Sequence, residues 1–281
     1  MAPDRPGDRP VVCCDLDGVV WRGADPLPGA DEAIAQIRAS GIRVGFVSNN
    51  SNEPVEAVVA KLERVGVPAD VGDVLTSALA AAALLTADLG RGARVLACAG
   101  PGVVAALHDA GFEVVDDGPA DGVVVGFHRE FDFERLARAS ACVRAGARFV
   151  ATNLDATFPV PGGLLPGAGA IVAAVATAAG RAPEVAGKPA APMVDLVRRR
   201  LSGSGVVVGD RPSTDGAFAH ALGWPFALVL SGVTATPAPP GGEAIPTPQP
   251  PYVGEDLLEL APRLIAALRG STGPGGAAAG A

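Results

Sequence analysis

The residues Val11-Val12-Cys13-Cys14-Asp15-Leu16-Asp17-Gly18-Val19-Val20 combine a strand-like apolar run with two carboxylates. Val11 to Cys14 are typical of a strand covered on both faces in the centre of a parallel sheet. Asp15 and Asp17 follow at the carboxyl end of this predicted strand, where open α/β sheets bind their ligands. Two acids so close repel each other unless a cation lies between them, and a hard divalent cation such as Mg²⁺ prefers oxygen ligands. The competing interpretation is that both acids cap a turn.

Three further polar loops follow or precede apolar elements in the same way. They are Ser48-Asn49-Asn50-Ser51 after the predicted strand 43–47, Gly209-Asp210 to Asp215 after the predicted strand 205–208, and Gly187-Lys188-Pro189 before a predicted helix. Hydroxyl and amide groups between a strand and a helix are suited to phosphate oxygens, because side chains and backbone N–H groups can donate there together. Helix capping competes for the Ser and Asn residues, turn capping for the Asp residues, and an ordinary surface position for Lys188.

Strand and helix patterns alternate along the chain. Apolar periodicity predicts strands at 94–98, 112–115, 122–127, 148–151 and 226–230, and helices at 30–40, 54–65, 78–89, 102–110, 133–145, 168–180, 191–201 and 256–268. This alternation predicts an α/β fold with a parallel sheet. The pattern restarts after residue 78, which predicts a second α/β unit over 79–180 with its own polar strand end, Thr152-Asn153-Leu154-Asp155, and a Gly/Pro-rich loop at 158–163. We expect an irregular loop at 237–251 and a disordered tail at 270–281.

Composition limits the partners and the compartment. The chain has 281 residues, a formal charge of −8 at pH 7 and a sequence pI ≈ 4.9, which argues against a nucleic-acid or anionic-membrane partner. Residues 1–10 lack the apolar segment of a signal peptide, and the longest apolar helical runs are shorter than a membrane span, so we expect a cytoplasmic location. The four cysteines lie in apolar segments without C-x-x-C spacing and are expected to be buried, reduced thiols.

The motifs and their order resemble the haloacid dehalogenase superfamily, and more narrowly its NagD-type nucleotidases, 4-nitrophenyl phosphatases, and phosphoglycolate and pyridoxal phosphatases. The resemblance covers about residues 11–268. It implies a Rossmann-like core with a central parallel sheet and an inserted α/β cap. The matching segments are Asp15-Leu16-Asp17-Gly18-Val19-Val20, Val47-Ser48-Asn49-Asn50-Ser51, Leu75-Thr76-Ser77, Ala151-Thr152-Asn153-x-Asp155, Pro166-Gly167-x-Gly169, Gly187-Lys188-Pro189, Val208-Gly209-Asp210-Arg211-x-x-Thr214-Asp215 and Ser231-Gly232-Val233-Thr234.

The resemblance assigns roles to the acids. Asp15 would be the nucleophile that forms an aspartyl-phosphate, and Asp17 the general acid that protonates the leaving alkoxide and then activates water. Mg²⁺ would be held by the Asp15 side chain, the backbone carbonyl of Asp17 and the acid Asp210, with Asp215 beside the cation and acting through a water or by orienting a ligand.

The resemblance also assigns the phosphoryl contacts and the domains. Ser48 and Lys188 would bind phosphoryl oxygens with help from the amides of Asn49 and Asn50, and Lys188 would support catalysis by its charge. The core would comprise residues 1–78 and 181–269, and the cap residues 79–180. In the cap, Thr152, Asn153 and Asp155 are candidates for touching the leaving group; the alternative is that their hydrogen bonds only fix the loop. His128 is expected on the surface at the end of a cap strand, outside the chemistry.

The implied function is Mg²⁺-dependent hydrolysis of a small phosphorylated metabolite. Glycerol or sugar phosphates, phosphoglycolate, nucleotides and pyridoxal phosphate all remain open as substrates. A phosphotransferase that uses the same intermediate and a non-catalytic ligand-binding protein with this fold are the alternatives. A phosphonate hydrolase would need a lysine from the cap, and residues 79–180 contain none. Relatives often pair through their caps, so a homodimer of this kind is one option.

Overall fold

The structure, a computed structural model, describes residues 9–160, 163–235 and 242–270. The described chain forms two compact units. The first unit contains the described residues of Met1–Val47, Leu62–Ala69 and Val197–Ala281, and the second unit those of Ser48–Lys61 and Asp70–Leu196.

Strands and helices alternate along most of the described chain. In order they are β1 (Val11–Cys14), β2 (Trp21–Arg22), β3 (Asp25–Pro26), α1 (Ala30–Ala39), β4 (Arg43–Ser48), α2 (Val55–Arg64), β5 (Val74–Thr76), α3 (Ser77–Leu89), β6 (Arg94–Cys98), α4 (Pro101–Asp109), β7 (Glu113–Val115), β8 (Gly122–Val125), α5 (Phe133–Arg144), β9 (Arg148–Ala151), β10 (Thr157–Val160), β11 (Gly163–Pro166), α6 (Ala168–Ala179), β12 (Glu184–Val185), α7 (Ala191–Arg200), β13 (Gly205–Gly209), α8 (Ala217–Leu222), β14 (Phe226–Val229), β15 (Tyr252–Gly254) and α9 (Leu257–Gly270). A 3₁₀ turn, Val71–Asp73, precedes β5, and a π-helical turn, Pro212–Gly216, precedes α8.

The first unit is built on a parallel sheet whose strands run in the order β15-β14-β13-β1-β4. Every residue of β1 is buried, as expected for an all-apolar central strand. In the register of the sheet, Cys14 lies beside Val208 of β13 and Phe46 of β4. The carboxyl ends of β1 and β13 therefore meet at one edge, and the acids that follow them begin there.

The second unit contains a separate parallel sheet with strand order β12-β9-β8-β6-β7. Helices α5 and α6 pack together, and their apolar faces join the sheet in one core. Its largest fully buried side chain is that of Phe149, with Val123, Val125, Val172 and Val175 around it. Small β-branched residues suit this position because they fill a sheet covered by helices without leaving gaps.

The predicted loop 158–163 is wrong in part. Thr157–Val160 and Gly163–Pro166 pair as an antiparallel ribbon, in which Pro159 lies opposite Leu164 and Pro166 opposite Thr157. Residues 161–162 lie outside the described residues. The Pro and Gly residues suggested irregular backbone, yet proline is tolerated in a two-stranded ribbon because each strand has an open edge that needs no N–H donor.

The α/β class and the parallel central sheet are confirmed. The strands predicted at 94–98 and 148–151 have the observed bounds, and the helices predicted at 30–40, 54–65 and 133–145 differ from the structure by one residue at one end or at both. The short strands β2, β3, β12 and β15 were not predicted. The division into a core of 1–78 and 181–269 and a cap of 79–180 stays a prediction, and the predicted tail, from 271 on, and residues 237–241 of the predicted loop fall outside the described residues. Among the described helices, none has both the length and the apolar character that crossing a bilayer requires.

Candidate active site

The loop after β1 turns sharply and carries the first two acids. The backbone N–H of Asp15 still donates to Val208 O at 2.9 Å, so Asp15 continues the sheet pairing of β1. The chain reverses at Gly18, which has a φ of 86° and donates its N–H to Trp21 O at 2.7 Å. A Cβ at position 18 would lie 2.3 Å from Asp210 Oδ2. Only glycine allows both the left-handed backbone and this close approach of the acid that follows β13.

Three acids form a cluster at this edge of the sheet. Asp15, Asp210 and Asp215 each offer a carboxylate oxygen, and these oxygens all lie within 4.8 Å of one another. Asp210 and Asp215 are only 5% and 1% exposed. Buried like charges at this separation are unfavourable without a counter-charge, and carboxylate oxygens are the ligands that a hard divalent cation prefers. The donor set therefore fits Mg²⁺ or Ca²⁺.

The side chain of Asp17 does not belong to this cluster. It is exposed, and Oδ1 accepts a hydrogen bond from Trp21 Nε1 at 3.0 Å. That Asp17 contributes its backbone carbonyl to the metal stays a prediction. The contact with Trp21 was not predicted, because the turn that brings the indole back to Asp17 is not visible in the sequence pattern.

The segment Ser231–Thr234 holds Asp210. Val233 N donates to Asp210 Oδ2 at 2.7 Å, and the hydroxyl of Thr234 donates to the backbone carbonyl of Asp210. A Cβ at Gly232 would come within 1.8 Å of Asp210 Oδ2. The segment is part of the resemblance to the family, which assigned it no role. The structure shows that it fixes the orientation of one carboxylate of the cluster.

Asp215 is fixed by the π-helical turn Pro212–Gly216. Its backbone N–H donates to Arg211 O at 2.7 Å, and its Oδ2 accepts from Arg211 N at 3.2 Å. The side chain also covers Gly209, where a Cβ would lie 2.3 Å from Asp215 Cγ. These contacts hold the acid against the end of β13, beside Asp210.

Ser48 and Asn50 form a tight turn at the end of β4, and both belong to the second unit. Ser48 is buried, and its Oγ accepts a hydrogen bond from Asn50 N at 3.0 Å. Because the hydroxyl oxygen is the acceptor here, its hydrogen can be donated to another group. The Asn50 side chain continues the turn, since its Oδ1 accepts from Asn52 N at 3.0 Å.

Asn49 connects several loops of the second unit. Its Nδ2 donates to Lys188 O at 3.1 Å and makes a longer contact of 3.4 Å to Asp155 Oδ2. Its backbone carbonyl accepts from Ser77 Oγ at 2.7 Å and from Asn153 Nδ2 at 2.9 Å. Lys188 is only 5% exposed. Asn49, Asn153, Asp155 and Lys188, four of the predicted site residues, therefore lie together.

Thr152 and Asn153 are buried and take part in hydrogen bonds of the loop. Thr152 is fully buried and lies 3.1 Å from Ser51 through the two hydroxyl oxygens, and Asn153 Oδ1 accepts from Asp155 N at 3.0 Å. These contacts are the loop-fixing kind that the sequence left open as an alternative. A direct contact of either residue with a leaving group stays a prediction.

The predicted surface position of His128 is wrong. The side chain is 3% exposed, Nδ1 lies 3.1 Å from Gly126 O, and the ring packs edge-on against Phe131 with 5.7 Å between centroids. Within the described residues, Nε2 has no hydrogen-bond partner. Burial lowers the pKa of His128 below its ordinary value, which favours the neutral ring. The pattern failed here because the chain after β8 folds the side chain back inward instead of leaving it at the strand end.

The four cysteines are buried, as predicted, and none of them forms a disulfide within the described residues. Burial raises the pKa of the Cys98 thiol to about 12, and it also raises the pKa of Cys142. Thiols with raised pKa values hold their protons at neutral pH and are poor nucleophiles. The Cys98 and Cys142 thiols are therefore not suited to act as nucleophiles.

A parallel α/β sheet with acids at the ends of β1 and β13 defines a hydrolase of the haloacid dehalogenase type. The family described as haloacid dehalogenase-like hydrolase matches residues 12–113, and the one described as HAD-hydrolase-like matches residues 185–260. The chain belongs to this family, in its NagD-like subfamily.

Two relatives in sequence are phosphatases by name. The chain is 41% identical over 257 residues to a D-glycerol 3-phosphate phosphatase of Mycobacterium tuberculosis. The aligned region covers 90% of this chain and 71% of that protein. It is also 37% identical over 223 residues to an acid sugar phosphatase of Staphylococcus haemolyticus. This alignment covers 78% of this chain and 84% of that protein.

Solved structures agree with this placement. The glycerol phosphate phosphatase of M. tuberculosis in complex with magnesium matches with a TM-score of 0.80 and 38% identity, over 90% of this chain and 77% of that chain. The p-nitrophenyl phosphatase from Archaeoglobus fulgidus matches with a TM-score of 0.82 and 29% identity, over 92% of this chain and 100% of that chain.

Proposed function

We propose that this phosphatase hydrolyses a small polyol or sugar phosphate through an aspartyl-phosphate on Asp15. The protein is an Mg²⁺-dependent phosphoric monoester hydrolase of the NagD-like subfamily. The observation that carries the proposal is the gathering of the Asp15, Asp210 and Asp215 carboxylates within 4.8 Å at the carboxyl ends of β1 and β13. The names of the relatives support the substrate class, since one is a D-glycerol 3-phosphate phosphatase and the other an acid sugar phosphatase.

Asp15, Asp210 and the backbone carbonyl of Asp17 are the proposed ligands of Mg²⁺, with Asp215 beside the ion. When bound, Mg²⁺ neutralises charge between the Asp15 carboxylate and the phosphoryl oxygens, so that the nucleophile and the anionic substrate can approach. The burial of Asp210 and Asp215 supports this assignment, because their charges cost most free energy when no cation is present.

Asp15 and Asp17 divide the chemistry between them. An oxygen of the Asp15 carboxylate attacks phosphorus, the bond from phosphorus to the ester oxygen breaks, and Asp17 gives its proton to the leaving alkoxide. Asp17 then takes a proton from water, which attacks the same phosphorus and releases inorganic phosphate and the free Asp15 carboxylate. The hydrogen bond from Trp21 Nε1 to Asp17 Oδ1 supports this role, since it fixes the direction of the Asp17 carboxyl.

Ser48, Lys188 and the amides of Asn49 and Asn50 are the proposed phosphoryl-binding groups. Phosphoryl transfer spreads charge over three equatorial oxygens, and donors placed around them account for most of the catalysis. We also propose that residues 79–180 form the cap over a core of 1–78 and 181–269, and that Thr152, Asn153 and Asp155 lie towards the leaving group. Closure of a cap would exclude water from the reaction.

Two further proposals concern the setting of the enzyme. Four buried cysteines that form no disulfide in the described part of the chain support a reducing compartment such as the cytoplasm. A homodimer through residues 79–180 is the proposed assembly, and light scattering at a series of protein concentrations tests it.

The test is phosphate release from a panel of esters with and without Mg²⁺. We expect glycerol 3-phosphate and small sugar phosphates to be turned over faster than nucleotides or pyridoxal phosphate, and chelation to stop the reaction. Asp15→Asn removes the nucleophile and lowers kcat by several orders of magnitude, while Asp109→Asn, an exposed acid at the end of α4, leaves it unchanged. Turnover by Asp15→Asn equal to that of the wild type would contradict the mechanism, and products in which the phosphoryl group is carried to an added alcohol would identify a transferase.

A further inference from the structure

We propose that Ser77 and the Asn49 side chain are positioning residues that set Lys188 for the phosphoryl group. The inference rests on the proposed function, in which Lys188 binds phosphoryl oxygens. Ser77 belongs to the segment Leu75-Thr76-Ser77, which the sequence singled out and to which the mechanism has given no role. The observation is a chain of hydrogen bonds inside the second unit that runs from Ser77 through Asn49 to the backbone of Lys188.

The Ser77 hydroxyl contacts the Asn49 backbone and does not cap the helix in which it lies. It is the first residue of α3 and is fully buried. The capping role at this helix end is already taken by Thr76, whose Oγ1 accepts from Leu79 N at 3.3 Å. The Ser77 hydroxyl is therefore not needed as a cap, and it donates to Asn49 O at 2.7 Å.

The Asn49 backbone is fixed from two sides. Its carbonyl accepts from Ser77 Oγ and, at 2.9 Å, from Asn153 Nδ2. These two donors occupy both lone pairs of the oxygen. Asn153 is in turn tied to its own loop, because its Oδ1 accepts from Asp155 N at 3.0 Å. The residue after Ser48 is thus anchored to the start of α3 and to the loop after β9.

The Asn49 side chain connects this anchored backbone to the segment Gly187-Lys188-Pro189. Its Nδ2 donates to Lys188 O at 3.1 Å and faces Asp155 Oδ2 at 3.4 Å, so the amide nitrogen is turned toward two acceptors. Gly187 permits the approach, because a Cβ there would lie 2.4 Å from Asn49 Oδ1 and 2.4 Å from Thr152 O. Gly187 N also donates to Thr152 O at 2.8 Å. The backbone position of Lys188 is therefore fixed by contacts with the loops after β4 and β9.

The consequence for catalysis is specific to Lys188. A lysine ammonium is a point charge on a flexible stem, so its place depends on where the backbone starts that stem. Small displacements of a positioning group cost rate well beyond their cost in stability, because the transition state needs its charges in fixed places. Loss of the Ser77 hydroxyl should therefore weaken the binding of phosphate and slow turnover through Lys188.

The experiment compares Ser77→Ala with Ser140→Ala. Ser140 is a matched control, since it is also buried and its Oγ donates to a backbone carbonyl, Ala137 O at 3.1 Å, but in α5. We expect Ser77→Ala to lower kcat/KM for glycerol 3-phosphate on the order of 10- to 100-fold and to weaken inhibition by inorganic phosphate. Ser77→Ala and Ser140→Ala should lower the unfolding temperature by similar amounts. Ser140→Ala should leave kcat/KM and the inhibition by inorganic phosphate unchanged. Ser77→Cys, which keeps the volume and offers a weaker donor, should fall between Ser77→Ala and the wild type.

A double-mutant cycle with Lys188→Met separates positioning from general damage. If Ser77 acts through Lys188, adding Ser77→Ala to Lys188→Met costs little further activity. An equal loss in both backgrounds, or wild-type phosphate inhibition in Ser77→Ala, overturns the inference. A wild-type protein that hydrolyses no ester would instead overturn the proposed function. The role of Ser77 would then be tested by calorimetric binding of inorganic phosphate: weaker binding by Ser77→Ala than by the wild type supports the inference, and equal binding overturns it.

Discussion

Asp15 and Asp17 are two positions apart and have different surroundings. The Asp15 carboxylate lies with those of Asp210 and Asp215, whereas the Asp17 side chain is exposed and bonded to Trp21 Nε1. The sequence could predict that both acids follow a buried strand, because apolar periodicity and chain order are local properties. It could not predict the indole contact, which depends on the turn at Gly18, nor the inward position of His128, which depends on packing against Phe131.

His128 makes the stability of the protein depend on pH. Burial is the largest cause that lowers its pKa, with a smaller contribution from Arg135, and the hydrogen bond to Gly126 O opposes the shift. A pKa below the unfolded-state value means that the unfolded chain binds the proton more readily. The stability contributed by neutral His128 is therefore present above the ordinary histidine pKa, and it is lost as the pH falls through that value toward the folded pKa.

We expect urea unfolding to show this loss as the pH falls below about 6.5, the ordinary histidine value. His128→Gln should flatten the dependence in this range. His108→Gln, at an exposed position in the last turn of α4, should keep the wild-type slope. Parallel curves for the wild type and His128→Gln would show that the ring does not titrate in this way.

At the scale of elements, uninterrupted apolar strands were predicted well, and strands that contain Pro and Gly were not. The apolar strands at 94–98 and 148–151 were predicted with the observed bounds, because an uninterrupted apolar run between polar turns leaves little choice. The ribbon of β10 and β11 was read as a loop, since its Pro and Gly residues obscure pairing that only the partner strand reveals. The segment Ser231–Thr234 was noted, but its grip on Asp210 requires the fold.

This segment gives a prediction for metal binding. In Gly232→Ala the new Cβ would start 1.8 Å from Asp210 Oδ2, so the carboxylate must move out of the cluster or the segment must shift. We expect the affinity for Mg²⁺, measured by isothermal titration calorimetry, to fall at least about tenfold, since ligand placement governs metal affinity. Gly72→Ala is the control, because a Cβ there meets nothing within 4 Å. Unchanged Mg²⁺ affinity in Gly232→Ala would show that Asp210 is not held in the way described.

At the scale of the whole molecule, the chain places its candidate groups in two sets. The acids Asp15, Asp17, Asp210 and Asp215 belong to the first unit, and the hydroxyl, amide and lysine groups belong to the second unit. The order of the motifs was enough to predict the family, because each motif follows or precedes an apolar element that the sequence also shows. Substrate choice could not be predicted in this way, since it depends on which side chains meet around the leaving group.

The central claim is that Asp15 carries the phosphoryl group and Asp17 moves the protons. The most direct measurement is a rapid-quench experiment with Asp17→Asn, Mg²⁺ and 4-nitrophenyl phosphate, whose leaving group needs no proton. We expect a burst of about one nitrophenolate per enzyme followed by slow turnover, and a phosphoryl group on the peptide that contains Asp15. Asp15→Asn should give no burst. Steady turnover without a burst, or a phosphoryl group on another residue, would contradict the account.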